Sequence, residues 1–380
     1  MIRAIDIRLL GKQRTGDEAV FFNLTKEILR QDTAHTYLLL TDESDPQKIA
    51  VLQARLGCVG QKNVQFISLF GKNRFVWNLV TLPWFLFTKP VDTYHTQYIL
   101  PFLIPKKIKI LLHIHDISFR VFPELIGWKD RLFLSLLIPR SVRRADIILA
   151  PSRFTRDEIV REYGVTPEKI AVISNALSEN FSVETNQTND VEAVRQKYTL
   201  PKRFILYVGT LQPRKNIPFL IRACALLRQR IPDMNLVLVG NKQGHHVDAG
   251  IDQALHETGM AEAVFFPGYI AEQDLPLVLR LATVFAFPSV YEGFGIPLLE
   301  AMSQGIPSAA SDIPVLREVA GEAGVYFDPR SIASCEEKLY TLCTDRDRRA
   351  KCVSLGKNQV SLFSWEKSAI SLLAVYRALD

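Results

Sequence analysis

Cysteine is scarce in this chain, and metal-binding patterns are scarce with it. The five cysteines, Cys58, Cys224, Cys335, Cys343 and Cys352, form no C-x-x-C pair, so neither a zinc knuckle nor a disulfide framework is indicated. They are expected to be reduced thiols. Asp345-Arg346-Asp347 fits a D-x-D metal pattern but stands among charged residues near the C-terminus and reads as exposed surface, so no metal is expected. Long apolar runs are missing too: Phe75–Phe87 is interrupted by Asn78, Thr81 and Pro83, and its length of about a dozen residues falls short of the roughly 20 that cross a bilayer. No G-x-G-x-x-G follows the first strand of either half, which counts against a nicotinamide-dependent oxidoreductase. There is no RNP-type aromatic box and no long basic block, so nucleic acid is not expected as a partner; Lys106-Lys107-Ile108-Lys109 reads as a solvated loop before a strand. Charge interrupts Met1–Arg8, which reads as a first strand rather than a secretory leader, and the expected location is the cytoplasm.

What is present is apolar material for two cores: 380 residues, 48% hydrophobic and 23% charged, with a formal charge of +6. So modest a cationic excess suits phosphate-bearing substrates or anionic lipid headgroups. Lys72, Arg74, Trp77, Trp84, Phe85, Phe87 and Lys89 mix aromatics with flanking cations, as an interfacial segment does, and a peripheral contact with the inner face of a membrane is one expectation. A buried helix or strand beside a basic loop is the other.

Strand-like and helix-like stretches alternate from Ile2 to Ile173, stop at a polar stretch from Ser178 to Asp190, and resume from Phe204 to Gln304. Such alternation implies βαβ units. The expected class is α/β, with two doubly wound Rossmann-like domains (1–180 and 181–362) facing across a cleft, where ligands meet the carboxyl ends of the strands. Residues 363–380 form a further helix, with apolar residues at helical spacing after Trp365.

The most informative segment is Glu292-Gly293-Phe294-Gly295-Ile296-Pro297-Leu298-Leu299-Glu300-Ala301-Met302, preceded by the apolar run Thr283–Pro288. The expected order is strand, loop, helix. Gly293 and Gly295 permit positive φ and close ligand approach, Pro297 suits a first helical position, and the free amides of a helix start can hold phosphate or a polar sugar edge. Glu300 is placed in that first turn, where a carboxylate can accept hydrogen bonds from a ribose diol, while Glu292 lies in the loop.

Glu-x7-Glu in this form closely resembles the donor-site motif of family 4 of the retaining glycosyltransferases, which have the GT-B fold. Tyr207–Asn216, Phe266–Ile270, Ala145–Ser152, His113–Asp116 and Phe363–Glu366 resemble further segments of that family in the right order, and the likeness is mannosyltransferase-like. The resemblance implies a metal-independent hexosyltransferase that takes a nucleotide-diphosphate sugar, with GDP-mannose preferred, and delivers the sugar to a glycan, lipid-linked or polysaccharide acceptor with retention. No cofactor is implied. By the same resemblance Arg214 and Lys215 neutralise the leaving diphosphate in place of Mg²⁺, and Glu292 holds a sugar hydroxyl. Phe294, Gly295 and Ile296 give backbone amides, Glu300 binds the ribose, Tyr269 and Ile270 form the base turn, and His115 meets the transferred sugar or the acceptor. The last helix is implied to cross back to the first domain.

Two departures from the family stand out. Thr210 replaces the Arg that commonly follows the strand-ending glycine, with Arg214 expected to supply the charge; Thr210 and Gly16 are still expected among the donor-binding residues. The glycine-rich loop after the first strand is here Gly11-Lys12-Gln13-Arg14-Thr15-Gly16-Asp17-Glu18, in which Gly16 is the best match and Lys12 and Arg14 are placed to meet an anionic acceptor. Three alternatives stay open: a sugar-nucleotide epimerase of the same fold, a glycoside hydrolase using Glu292 and Glu300 as its carboxyl pair, and a non-catalytic scaffold.

Overall fold

The computed structural model describes residues 1–12, 16–71, 73–123, 127–181, 188–244 and 246–380. The chain divides into two compact units. The first comprises Met1–Val121, Gly127–Ala176 and Ser364–Asp380; the second is Leu177–Phe363 together with Phe122 and Pro123. The breaks thus follow Ala176 and Phe363, where the sequence suggested 180 and 362.

Among the described residues, seven parallel strands build the first unit: β1 (Ile2–Asp6), β2 (Thr36–Thr41), β3 (Val64–Ser68), β4 (Thr93–Gln97), β5 (Lys109–His113), β6 (Ile147–Ala150) and β7 (Ile170–Val172), in the order β3-β2-β1-β4-β5-β6-β7. Both β2 and β5 are near-continuous apolar runs, as strands covered on both faces must be. Strand β4 is different. It reads Thr-Tyr-His-Thr-Gln, carries no apolar run, and is nonetheless buried; the Tyr376 hydroxyl meets His95 Nδ1 at 2.8 Å and so supplies the partner that burial of an imidazole demands.

Arg3 in β1 is also fully buried. Its guanidinium pairs with Asp32 at 2.7 Å and with Asp380 at 2.8 Å, and lies 4.6 Å from the Tyr376 ring centroid. The last helix, Trp365–Arg377, therefore belongs to the first unit. It packs on helix Gly16–Gln31, is capped by Ser364, whose hydroxyl accepts from the Lys367 amide at 3.1 Å, and buries Ala369, Leu372, Leu373 and Tyr376 at helical spacing.

The Phe75–Phe87 stretch is helical, and it splits the aromatics expected together at an interface: Trp77 and Phe85 are buried, Trp84 and Phe87 exposed. Lys72 lies outside the described residues. Among the described residues no helix is long and apolar enough to cross a membrane.

Among the described residues, six parallel strands build the second unit: β8 (Phe204–Val208), β9 (Asn235–Val239), β10 (Val264–Gly268), β11 (Val284–Phe287), β12 (Ser308–Ser311) and β13 (Val325–Phe327), in the order β10-β9-β8-β11-β12-β13. Chain order reverses direction beside β1 and again beside β8. In a doubly wound sheet such switch points open crevices at the carboxyl ends of the strands. The loops after β1, β4, β5, β8 and β11 are therefore where ligand chemistry is expected.

Replacing Arg3 by Leu would leave Asp32 and Asp380 without their cation, and breaking a buried ion pair by removing one partner costs about 3–5 kcal/mol. The expected outcome is a large drop in the unfolding midpoint of the full chain on heating. A shift of the size of an ordinary surface substitution, about 0.5 kcal/mol or less, would contradict the role given to this network.

Candidate active site

The end of β8 is shaped by two glycines. Gly209 has φ +153°, and a Cβ there would stand 2.6 Å from the Tyr207 hydroxyl; a Cβ on Gly240, after β9, would stand 2.3 Å from the Gly209 carbonyl. Only glycine at both positions lets the two strand ends close on each other. The Tyr207 hydroxyl donates to the Thr210 carbonyl at 2.8 Å, and the chain passes through a 3₁₀ turn, Pro213–Lys215, into helix Ile217–Arg230 through Asn216, at φ 59°. Arg214 and Lys215 thus sit on a braced turn. Thr210 is exposed and presents its side chain to solvent.

The loop after β11 is stitched to this turn, since the Val290 amide donates to the Arg214 carbonyl at 2.9 Å. Glu292 then fills the space between the two cations. Its Oε1 pairs with the Lys215 ammonium, and its Oε2 accepts from Arg214 Nη1 at 3.1 Å, which also donates to the Tyr291 carbonyl at 3.2 Å. The Lys215 and Glu292 side chains are 9% and 8% exposed, and the Lys215 ammonium lies 5.6 Å from the Phe287 ring centroid. Burial by itself would push the Glu292 carboxyl up, but the Lys215 charge, then the Arg214 charge, then hydrogen bonding outweigh it and hold the group below the usual carboxylate range. A carboxyl held ionised in this way is a hydrogen-bond acceptor and a poor proton donor, so it does not suit the general acid of a hydrolase pair.

Gly295 opens helix Ile296–Ser303 at φ +115°, where a Cβ would stand 2.9 Å from Leu316 Cδ2. Among the described residues the amides of Phe294, Gly295 and Ile296 have no acceptor, as the first amides of a helix cannot. The Phe294 side chain points the other way, into a cluster with Leu299 and Val319 that Ile296 and Phe363 flank, and its ring meets that of Phe363 edge-on at 5.5 Å. Glu300 is the fifth helical residue, one position further in than expected, because the helix begins at Ile296 rather than Pro297. In the turn after β10, Gly268 has φ +77°, Tyr269 is 73% exposed and Ile270 is buried. A stacked base would therefore meet the Tyr269 ring, with Ile270 offering backbone only. Asp345 caps helix Arg346–Val360 by accepting from the Arg348 amide at 2.9 Å, and among the described residues no group of His, Cys, Asp and Glu is placed to hold a metal.

In the first unit His115 is buried just past β5, with Nε2 2.7 Å from Gln97 Oε1. Its ring stacks on His113 at 4.2 Å, and His113 stacks in turn on His95 at 6.3 Å. Burial, and then the neighbouring His115, push His95 down to about 3 and His113 well below the usual imidazole range. These two rings are neutral. Gly16 is exposed at the start of helix Gly16–Gln31, and Lys12, expected to meet an acceptor, pairs with Asp42 at 2.7 Å; Arg14 lies outside the described residues. Tyr98 was not singled out in the sequence. It follows β4 at φ 53°, lies 5.6 Å from the His115 ring and donates to Asp17 at 3.4 Å. A left-handed tyrosine at a strand's carboxyl end is local strain of the kind that gathers at functional sites, but it leaves no mark in a single sequence.

A model of the glycosyl transferases group 1 matches residues 190–359, and one of glycosyltransferase family 4 matches residues 15–181. O-antigen chain mannosyltransferase B of Escherichia coli is 33% identical over 286 residues, 73% of this chain and 73% of that protein. The serotype-specific mannosyltransferase WbdA of Escherichia coli is 31% identical over 231 residues, which cover 60% of this chain and 28% of that protein. The crystal structure of Anabaena HepE in complex with UDP-glucose matches with a TM-score of 0.73 at 17% identity, over 99% of each chain.

Glu292→Gln removes the counter-charge of Lys215 and Arg214 and is expected to destabilise the chain by about 3 kcal/mol near neutral pH. The folded carboxyl titrates below its unfolded value, so this contribution is complete above the unfolded pKa of about 4.3 and is lost as pH falls through the folded pKa. Unfolding midpoints of the two proteins should converge in acid. A gap that stays constant as the solution is acidified would contradict the pairing.

Proposed function

On the premise that this chain belongs to the glycosyltransferases of group 1 and family 4 and has the GT-B fold, we propose that it transfers mannose from GDP-mannose to a growing glycan on a lipid-linked or polysaccharide acceptor. Transfer proceeds with retention and without a metal. The observation that carries this reading is the cluster of Lys215, Arg214 and Glu292 beside the open amides of Phe294, Gly295 and Ile296.

Departure of a nucleoside diphosphate needs its growing negative charge met by fixed cations and N–H donors. Arg214 offers a planar fork and Lys215 a point charge, both already desolvated and held by Glu292, so little reorganisation is needed when the phosphates arrive. A carboxylate has about four lone-pair sites. Glu292 can thus keep both cations and still accept from a sugar hydroxyl. The amides at the start of helix Ile296–Ser303 take further phosphate or sugar oxygens, Glu300 accepts from the ribose, and Tyr269 stacks on the base. The diphosphate oxygen takes the proton of the acceptor hydroxyl that attacks on the face it leaves, so no enzymic nucleophile is required. His115 serves the transferred sugar or the acceptor, and Gly16 and Thr210 serve the donor. The relatives named as O-antigen and serotype-specific mannosyltransferases support the choice of sugar and acceptor class.

Thermal unfolding in EDTA with GDP, UDP and ADP, on the wild type and on Glu300→Ala, tests the donor reading. A ligand at 100 times its Kd stabilises by about 2.7 kcal/mol. GDP is expected to raise the wild-type midpoint and to lose that effect in Glu300→Ala. A shift with UDP alone would overturn the choice of donor, and a shift that requires added Mg²⁺ would overturn metal independence.

A further inference from the structure

One face of the first unit exposes apolar side chains together with lysines and arginines. Between Pro46 and His115 the sequence has nine Lys or Arg residues against a single acidic one, Asp92, although the whole chain holds 46 basic and 40 acidic residues. Two of these cations, Lys48 and Lys109, pair with Glu43 and Asp146 outside the stretch; Lys89, Lys106 and Lys107 are exposed.

The centre of this face is the helix that begins at Arg74 and ends at Thr88, with a π-helical turn at Trp77–Thr81. Its inner side is anchored: the Trp77 indole donates to Asp6 Oδ2 at 3.0 Å, the Thr81 hydroxyl donates to the Phe70 carbonyl at 2.6 Å, and Leu82, Phe85 and Leu86 are buried. Its outer side exposes Phe75, Leu79, Val80, Trp84 and Phe87, with Trp84 at 63%. Neighbouring segments extend the patch. The Phe102 amide donates to the Asn78 carbonyl at 2.9 Å, which brings exposed Phe102 and Leu103 alongside. Helix Trp128–Arg144 adds Leu132 and Leu136, one turn apart and both exposed, and its Phe133 ring meets that of Phe75 at 5.6 Å. Arg74 lies 4.5 Å over the Phe133 ring and Arg140 lies 5.1 Å over the Phe102 ring. Lys89, Lys106 and Lys107 are exposed on the segments that flank these apolar side chains.

A contiguous apolar patch of this kind marks a contact surface. Its occupant must accept both aromatic side chains and a surplus of cations. A second copy of the chain would set one basic face against another, and like charges facing each other are repulsive. An anionic bilayer meets both demands, because amphipathic rings settle at the headgroup level while Lys and Arg meet lipid phosphates. We propose that this face docks on the surface of an anionic lipid bilayer, with Trp84 and Phe87 entering the headgroup boundary and Lys89, Lys106 and Lys107 meeting the phosphates. The docking does not depend on which sugar is transferred.

Flotation of the full chain with vesicles of phosphatidylcholine alone, and with vesicles rich in phosphatidylglycerol, tests this at low and high salt. The wild type is expected to float only with the anionic vesicles, and less at high salt. Trp84→Ser with Phe87→Ser, and separately Lys89→Glu, Lys106→Glu and Lys107→Glu together, should each lower the partition coefficient by about tenfold or more. All these side chains are exposed, so both variants should keep the wild-type unfolding midpoint. Absence of flotation, flotation unchanged by either variant set, or equal flotation with neutral vesicles would overturn the proposal. A dimer in sedimentation that Trp84→Ser dissolves would overturn it in favour of a second copy.

Discussion

Two cations and one carboxylate, nearly out of water, hold two strand-end loops of the second unit in place. The turn after β8 and the loop after β11 come from separate parts of the chain, and Glu292 ties them together through Lys215 and Arg214. Burying three charges is costly, and their mutual attraction offsets that cost only while every partner stays in place. The cluster is therefore a weak source of net stability and a strong constraint on geometry. Any loop movement that separated Glu292 from either cation would strand a buried charge. Rigidity of this kind is what a site for a leaving diphosphate needs, because donors that are already oriented spend no energy reorganising as charge develops.

The same economy of position runs through both sheets. Parallel strands covered on both faces leave their chemistry to the carboxyl ends, and each sheet adapts its strand ends differently. In the second unit, glycine backbones at 209 and 240 approach where no side chain fits. In the first, polar strand β4 is buried with His95 Nδ1 against the Tyr376 hydroxyl and Gln97 against His115, and Tyr98, which follows it, takes a left-handed conformation against His115. The three stacked imidazoles of His95, His113 and His115 have one end on Gln97 and the other on Tyr376 of the last helix. That helix thus helps to build the sheet it covers.

Much of this was legible from residue order. Apolar strands such as Phe204–Val208 and Asn235–Val239 and amphipathic helices such as Ile217–Arg230 lie where their patterns place them, because burial on both faces or on one stripe leaves a periodic trace. Strands Thr93–Gln97 and Ser308–Ser311 left none. The first is polar and buried through hydrogen bonds; the second is Ser-Ala-Ala-Ser, with weak strand propensity, and is a strand because its neighbours pair with it on both sides. At the site, the sequence places Arg214, Lys215 and Glu292 near strand ends but contains nothing about their mutual pairing, which is a long-range contact. Glu300 lies one position further into its helix than a start at Pro297 implies, because the helix begins at Ile296, and Gly240 and Tyr98 matter through backbone geometry that residue type alone does not reveal.

The direct test of whether the Lys215 and Arg214 pair takes the place of a metal at the diphosphate is calorimetric titration in EDTA of GDP and GMP against the wild type and Lys215→Ala. A charge-assisted hydrogen bond contributes about 1.5–3 kcal/mol, so the wild type should bind GDP about ten- to hundredfold more tightly than GMP, and Lys215→Ala should lose most of that preference while still binding GMP. Equal affinities for the two nucleotides in the wild type, or a preference for GDP that survives Lys215→Ala, would contradict it.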